Sequence, residues 1–142
     1  MIESEPQTID PRHKKWDIIC KECPNITFTK LIPSQYSFLH EIYTKLNYNF
    51  PSPIQIATIP IGLASRNILA QSKSGTGKTI AFLSIVFAKL IPNNNTQAII
   101  SLPTRELTNQ VFQQAHNINQ FLSEEKRICI KSVIGGFPIS ED

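Results

Sequence analysis

No apolar run in this 142-residue chain is long enough to cross a bilayer. The longest nearly apolar stretch, Ile80 to Ala88, falls well short of the about 20 residues that a spanning helix needs. The first residues, Met1 to Gln7, lack the basic-then-apolar layout of a leader. Cysteine is scarce. Cys20, Cys23 and Cys129 cannot all pair internally, which excludes a complete disulfide framework and agrees with a reducing compartment. Cys20 and Cys23 form a C-x-x-C pair, but a zinc site needs about four ligands and there is no second pair; His13 and His40 would complete one only by an unsupported fold-back. Free thiols are therefore expected, in a soluble intracellular protein of the nucleus or the cytoplasm, with no membrane contact. Glycine is sparse too, at five residues, and no internal repeat is present.

What is present suits one globular unit. The chain is 41% hydrophobic, enough for a core. Residues 1–49 balance six basic against six acidic side chains, residues 50–136 carry eight against three, and residues 137–142 add two acids, giving +3. The basic excess thus sits in the middle of the chain, where it suits a polyanionic partner or simply a soluble surface.

Residues 1–27 are polar, charged and punctuated by proline, and read as a flexible or loosely docked arm; its Arg12-His13-Lys14-Lys15 cluster is given no role. Beyond it, Ser34 is a candidate cap for a helix to about Leu46, with Phe38, Leu39, Ile42 and Leu46 at helical spacing. Ser52 and Pro53 open a second helix reaching about Leu63. Strands are expected over Asn67 to Gln71, Gln97 to Leu102 and Ile128 to Val133, with helices between them over Thr79 to Leu90 and Thr104 to about Leu122, the latter carrying Leu107, Val111, Ala115, Ile118 and Leu122 on one stripe. This alternation predicts an α/β fold, a parallel sheet with helices on both faces.

Between the first strand and the helix after it stands Ser72-Lys73-Ser74-Gly75-Thr76-Gly77-Lys78-Thr79. Glycines there let backbone amides turn inward around anionic oxygens, a lysine reaches the β- and γ-phosphates, and a hydroxyl joins a Mg²⁺ shell. The ligand expected is a nucleoside triphosphate with Mg²⁺: Lys78 and Thr79 are the catalytic candidates, Ser72 to Thr79 the cradle, and Thr79 the metal contact. The G-x-x-x-x-G-K-[ST] pattern has Gly where this chain has Ser72, a small residue that the loop accommodates. A Gly/Ser/Lys linker would not need the buried segments on either side.

Three further segments narrow the choice among phosphate-loop proteins. Asn47-Tyr48-Asn49-Phe50-Pro51-Ser52-Pro53-Ile54-Gln55 resembles the Q motif of DEAD-box ATP-dependent RNA helicases, and Leu102-Pro103-Thr104-Arg105-Glu106-Leu107 resembles their P-T-R-E-L segment. Gly135-Gly136 follows the third expected strand, as the family's glycine pair does. The resemblance spans about residues 28–142 and implies the N-terminal half of a RecA-like ATP-binding domain, cut after about its third strand. It implies ATP and Mg²⁺ as cofactors and RNA as partner, held by its backbone without sequence specificity. It also implies that Gln55 reads adenine, since a side-chain amide both donates and accepts, and that Pro103, Thr104, Arg105, Gly135 and Gly136 approach RNA. Family members stack an upstream aromatic on adenine; Phe28 is the candidate here, with a plain core aromatic as the alternative. Asn47 replaces the usual Gly, and Thr108 the usual Ala. Ser52-Pro53-Ile54-Gln55, Gln71 to Thr79 and Gly135-Gly136-Phe137-Pro138-Ile139-Ser140 resemble the subgroup linked to small nuclear ribonucleoprotein assembly, which implies protein partners in such a complex.

Only Asp10, Asp17 and Asp142 are aspartates, and none follows an apolar strand. The family's Asp-Glu-Ala-Asp segment, which holds Mg²⁺ and positions water, is therefore not in this chain. Two expectations follow: an ATP-dependent RNA helicase seen in part, or a non-catalytic nucleotide- or RNA-binding remnant of one. In either case the 142 residues alone are expected not to hydrolyse ATP, whether they are a fragment, a truncated gene model or a pseudogene product. A small-molecule kinase explains neither Gln55 nor Arg105.

Overall fold

The computed structural model describes residues 7–9 and 26–135. They divide into two compact units, one up to Lys89 and one from Leu90 on.

In the first unit, strand β1 (Gln7–Ile9) pairs in parallel with β2 (Ile68–Ala70), Thr8 opposite Leu69. β1 falls within the stretch read as an arm; the rest of that stretch, with Cys20, Cys23 and the basic cluster, lies outside the described residues apart from Ile26 and Thr27. A short helix α1 (Phe28–Leu31) leads through a 3-10 turn at Ser34–Tyr36 into α2 (Ser37–Lys45). Ser34 thus opens the 3-10 turn and not the helix proper. α2 buries Leu39, Ile42 and Tyr43.

Helix α3 (Pro53–Leu63) starts where its local chemistry dictates: Ser52 is the N-cap, Pro53 needs no amide partner in the first turn, and Gln55 supplies its half of a capping box. It packs chiefly on α4 (Lys78–Lys89), which buries Ile80, Ala81, Leu83, Ser84 and Phe87. Gly62 sets this approach, because a Cβ there would lie 2.3 Å from Ile85 Cδ1 and under 3 Å from two more of its atoms. A wholesale shift of Ile85 would be needed to admit alanine.

The second unit centres on α5 (Arg105–Asn119), capped by Thr104, whose hydroxyl accepts the Leu107 amide at 3.2 Å. Of the expected stripe, Val111, Ala115, Ile118 and Leu122 are buried and Leu107 is half-buried, and a 3-10 turn follows at Glu124–Lys126. The expected strands over 97–102 and 128–133 are not formed: neither has a ladder partner among the described residues. Ile99 and Val133 are 88% and 82% exposed. A strand cannot satisfy its own backbone groups, so an apolar run becomes one only beside a neighbour. Side-chain amides bond single backbone positions nearby: Ile91, before the first run, and Ile128, at the start of the second. Gln97 accepts the Ile91 amide at 3.0 Å and donates to its carbonyl at 2.5 Å; Asn119 does the same for Ile128 at 3.0 and 2.9 Å.

Candidate functional site

The phosphate loop lies between β2 and α4, the order its chemistry requires. Gly75 and Gly77 adopt φ of +75° and +90°, the left-handed region where a Cβ is strained. For Gly77 there is a second reason, since a Cβ would stand 2.5 Å from Gln55 Nε2. The loop is braced internally. Ser72 and Thr76 hydroxyls pair at 2.6 Å, and the Thr76 hydroxyl donates to the Lys73 carbonyl at 2.9 Å. Lys78 Nζ donates to the Ser72 and Lys73 carbonyls, both at 2.6 Å, so its ammonium is drawn back over the loop. Ser74 is exposed at the tip, and Thr79 is half-buried in the first turn of α4. The start of a helix also presents free amides and the positive end of its dipole. These features fit a polyphosphate: inward-turning glycines, a lysine over the loop and a hydroxyl in the first turn.

Gln55 joins this loop directly. It is buried; its Oε1 accepts the Ser52 amide at 2.7 Å, and its Nε2 donates to the Gly77 carbonyl at 3.0 Å. Both ends of the amide are thereby placed at the junction of α3 and the loop, which brings together two motifs about 20 residues apart in sequence. Asn47 has φ of +59°. Its replacement of the usual glycine is thus accounted for, because asparagine is among the few other residues that tolerate this conformation.

Phe28 stands where its core-aromatic alternative places it. Its ring lies 4.7 Å from that of Tyr43 and it is 4% exposed, a core aromatic with no face open to a base. Sequence reading passed over Tyr43 itself, whose hydroxyl pairs with Ser84 in the interior. Burial pushes the Tyr43 phenol up to about 12; the Ser84 hydrogen bond opposes this and Tyr48 adds to it. A tyrosine and a serine at these positions give no local signal, since each passes for an ordinary helix residue until the two helices meet.

The second unit holds the other candidates. Pro103, Thr104 and Arg105 are exposed at the start of α5, and Gly135 is exposed in open space, where an added Cβ would meet nothing within 4 Å. Gly136 lies outside the described residues. No helix of the described residues is long and apolar enough to cross a membrane, and no group of three metal-binding side chains occurs among them.

Comparison with known proteins agrees with this arrangement. A family model for the DEAD/DEAH box helicase matches residues 52–142. The chain is 39% identical to the probable ATP-dependent RNA helicase DDX59 of Rattus norvegicus over 71% of its own length and 17% of that protein's. It is 35% identical to DEAD-box ATP-dependent RNA helicase 8 of Arabidopsis thaliana, covering 97% of itself and 29% of the relative. The chain therefore spans less than a third of either. Among solved structures, that of the RNA-helicase Prp28 from Chaetomium thermophilum bound to ADP matches with a TM-score of 0.66 at 27% identity, over 99% of this chain and 37% of that one. The likeness shows that the fold is part of a RecA-like α/β domain, in which the helices and the loop-bearing strand are formed here. The chain belongs to the DEAD/DEAH box helicase family.

Proposed function

We propose that the chain supplies the ATP-binding part and some of the RNA-binding part of an ATP-dependent RNA helicase. The observation that carries this is the hydrogen bond from Gln55 Nε2 to the Gly77 carbonyl, which ties the Q motif to the phosphate loop. In this reading Gln55 selects adenine, Ser72 to Thr79 cradle the phosphates, Lys78 neutralises their charge, and Thr79 contributes a hydroxyl to bound Mg²⁺. Bound ATP supplies the phosphoanhydride whose cleavage drives RNA duplex unwinding or ribonucleoprotein remodelling. The residues of this chain bind and orient it.

Arg105 supports the RNA part. It is exposed at the first position of α5, where the helix dipole disfavours a cation, so an anion there relieves an unfavourable arrangement. With Pro103, Thr104, Gly135 and Gly136 it contacts RNA through phosphate and sugar, hence without sequence preference. Protein partners in a ribonucleoprotein complex and a nuclear or cytoplasmic location belong to the same proposal.

Hydrolysis needs acids at the metal and a positioned water. The chain has no Asp-Glu-Ala-Asp segment to provide them. The test is phosphate release, with and without RNA, from the complete protein and from the 142 residues. RNA-stimulated release is expected from the first only. A complete protein that binds RNA but never hydrolyses ATP would contradict the proposal.

A further inference from the structure

The hydroxyls of Tyr43 on α2 and Ser84 on α4 meet in the interior, with 1% and 0% of these residues exposed. Ser84 Oγ also lies 2.5 Å from the Ile80 carbonyl, in the first turn of α4 and next to Thr79. On its other sides Tyr43 packs against Phe28, meets the Tyr48 ring edge-on at 6.1 Å, and accepts the Tyr48 amide at 2.8 Å through its carbonyl. One residue therefore touches α1, the segment leading to Ser52 and Gln55, and the helix that carries the phosphate loop.

A buried hydroxyl pair is a weak source of stability. Replacing both partners by apolar groups of the same shape is nearly neutral, because the bond replaces hydrogen bonds that water would have made. Its distinctive property is direction: it holds at one distance and angle, whereas an apolar contact lets two helices slide with little change in buried area. Ser84 stands about 9 Å along the axis from Lys78. A helix transmits displacement rigidly over that length, so a shift at Ser84 is a shift of the loop's lysine.

We propose that Tyr43 and Ser84 are positioning residues for the phosphate loop, their bond fixing the axial placement of α4 and with it Lys78 and Thr79. This rests on the nucleotide-binding reading above. The phenol stays protonated far above neutral pH, so the donor is present under all ordinary conditions.

The test is the double variant Tyr43→Phe/Ser84→Ala in the full 142-residue chain, which removes both hydroxyls and orphans neither. ATP and adenosine are each titrated against a fluorescent ATP analogue, and melting is recorded beside wild type. Expected are a nearly unchanged melting temperature, a loss of about tenfold in ATP affinity, and a clearly smaller loss in adenosine affinity, since the phosphates meet the displaced loop along its length and the base only through Gln55's bond to Gly77. Wild-type ATP affinity in the double variant would overturn the proposal, as would parallel losses for ATP and adenosine that follow a fall in melting temperature. If the double variant does not fold, Tyr43→Phe carries the test alone: it breaks only the bond between helices and leaves Ser84 on Ile80. The same selective loss is expected, and unchanged ATP affinity overturns the inference. A wild-type chain that binds no ATP at all would instead overturn the nucleotide reading itself, and this proposal with it.

Discussion

Residues up to Lys89 and residues from Leu90 onward differ in how their backbone and apolar groups are satisfied. In the first unit α2, α3 and α4 bury a common set that includes Leu39, Ile59 and Leu83, and the strand bearing the loop has a parallel neighbour. In the second, α5 buries Val111, Ala115 and Ile118, but the apolar runs on either side of it are unladdered among the described residues, the first mostly exposed and the second alternating between half-buried and exposed. Helices close their hydrogen bonds within one segment. Strands depend on another, so a region rich in strands is complete only when its neighbours are present.

The largest expected effect falls in the first unit. Lys78→Ala removes the ammonium that reaches over the loop and should lower ATP turnover of the complete protein about 100-fold or more. Phosphate release measures it, and near-normal turnover would break the proposed placement of Lys78 at the phosphates. Next comes stability. Leu83→Ala should cost about 2–5 kcal/mol, whereas Ile99→Ala should stay within about 0.5 kcal/mol, as measured by denaturant unfolding. Equal costs would show that the exposed run at 97–102 is packed in solution after all.

The smallest effect belongs to the start of α5, which is proposed above to meet RNA. Arg105→Ala should weaken binding alike for unrelated RNA sequences and reduce the slope of log K against log salt by about 1. A loss confined to one sequence would mean that Arg105 reads bases and not backbone.

What was legible in the sequence follows the same division. The boundaries of α3 could be read because Ser52, Pro53 and Gln55 act within one turn, and the phosphate loop because its glycines are demanded by local backbone angles. The stripe of α5 was visible for the same reason. The unladdered state of 97–102 and 128–133 was not, since pairing depends on other segments, and the Asn119 amide that bonds the Ile128 backbone carries no periodic signature. Phe28 was undecidable locally; only its contact with Tyr43 makes it a core residue. The Tyr43–Ser84 pair exists only between helices, 41 residues apart.

The central claim is that the first unit is built to hold an adenine nucleotide, with Gln55 at the base and Lys78 at the phosphates. Competition against a fluorescent ATP analogue on the 142-residue chain tests it most directly. Unlabelled ATP should displace the analogue, and GTP should be weaker by about 1–3 kcal/mol, because the one N–H and one oxygen lone pair that Gln55 has left beyond Ser52 and Gly77 match adenine's edge and not guanine's. Displacement by GTP as effective as that by ATP would contradict the account.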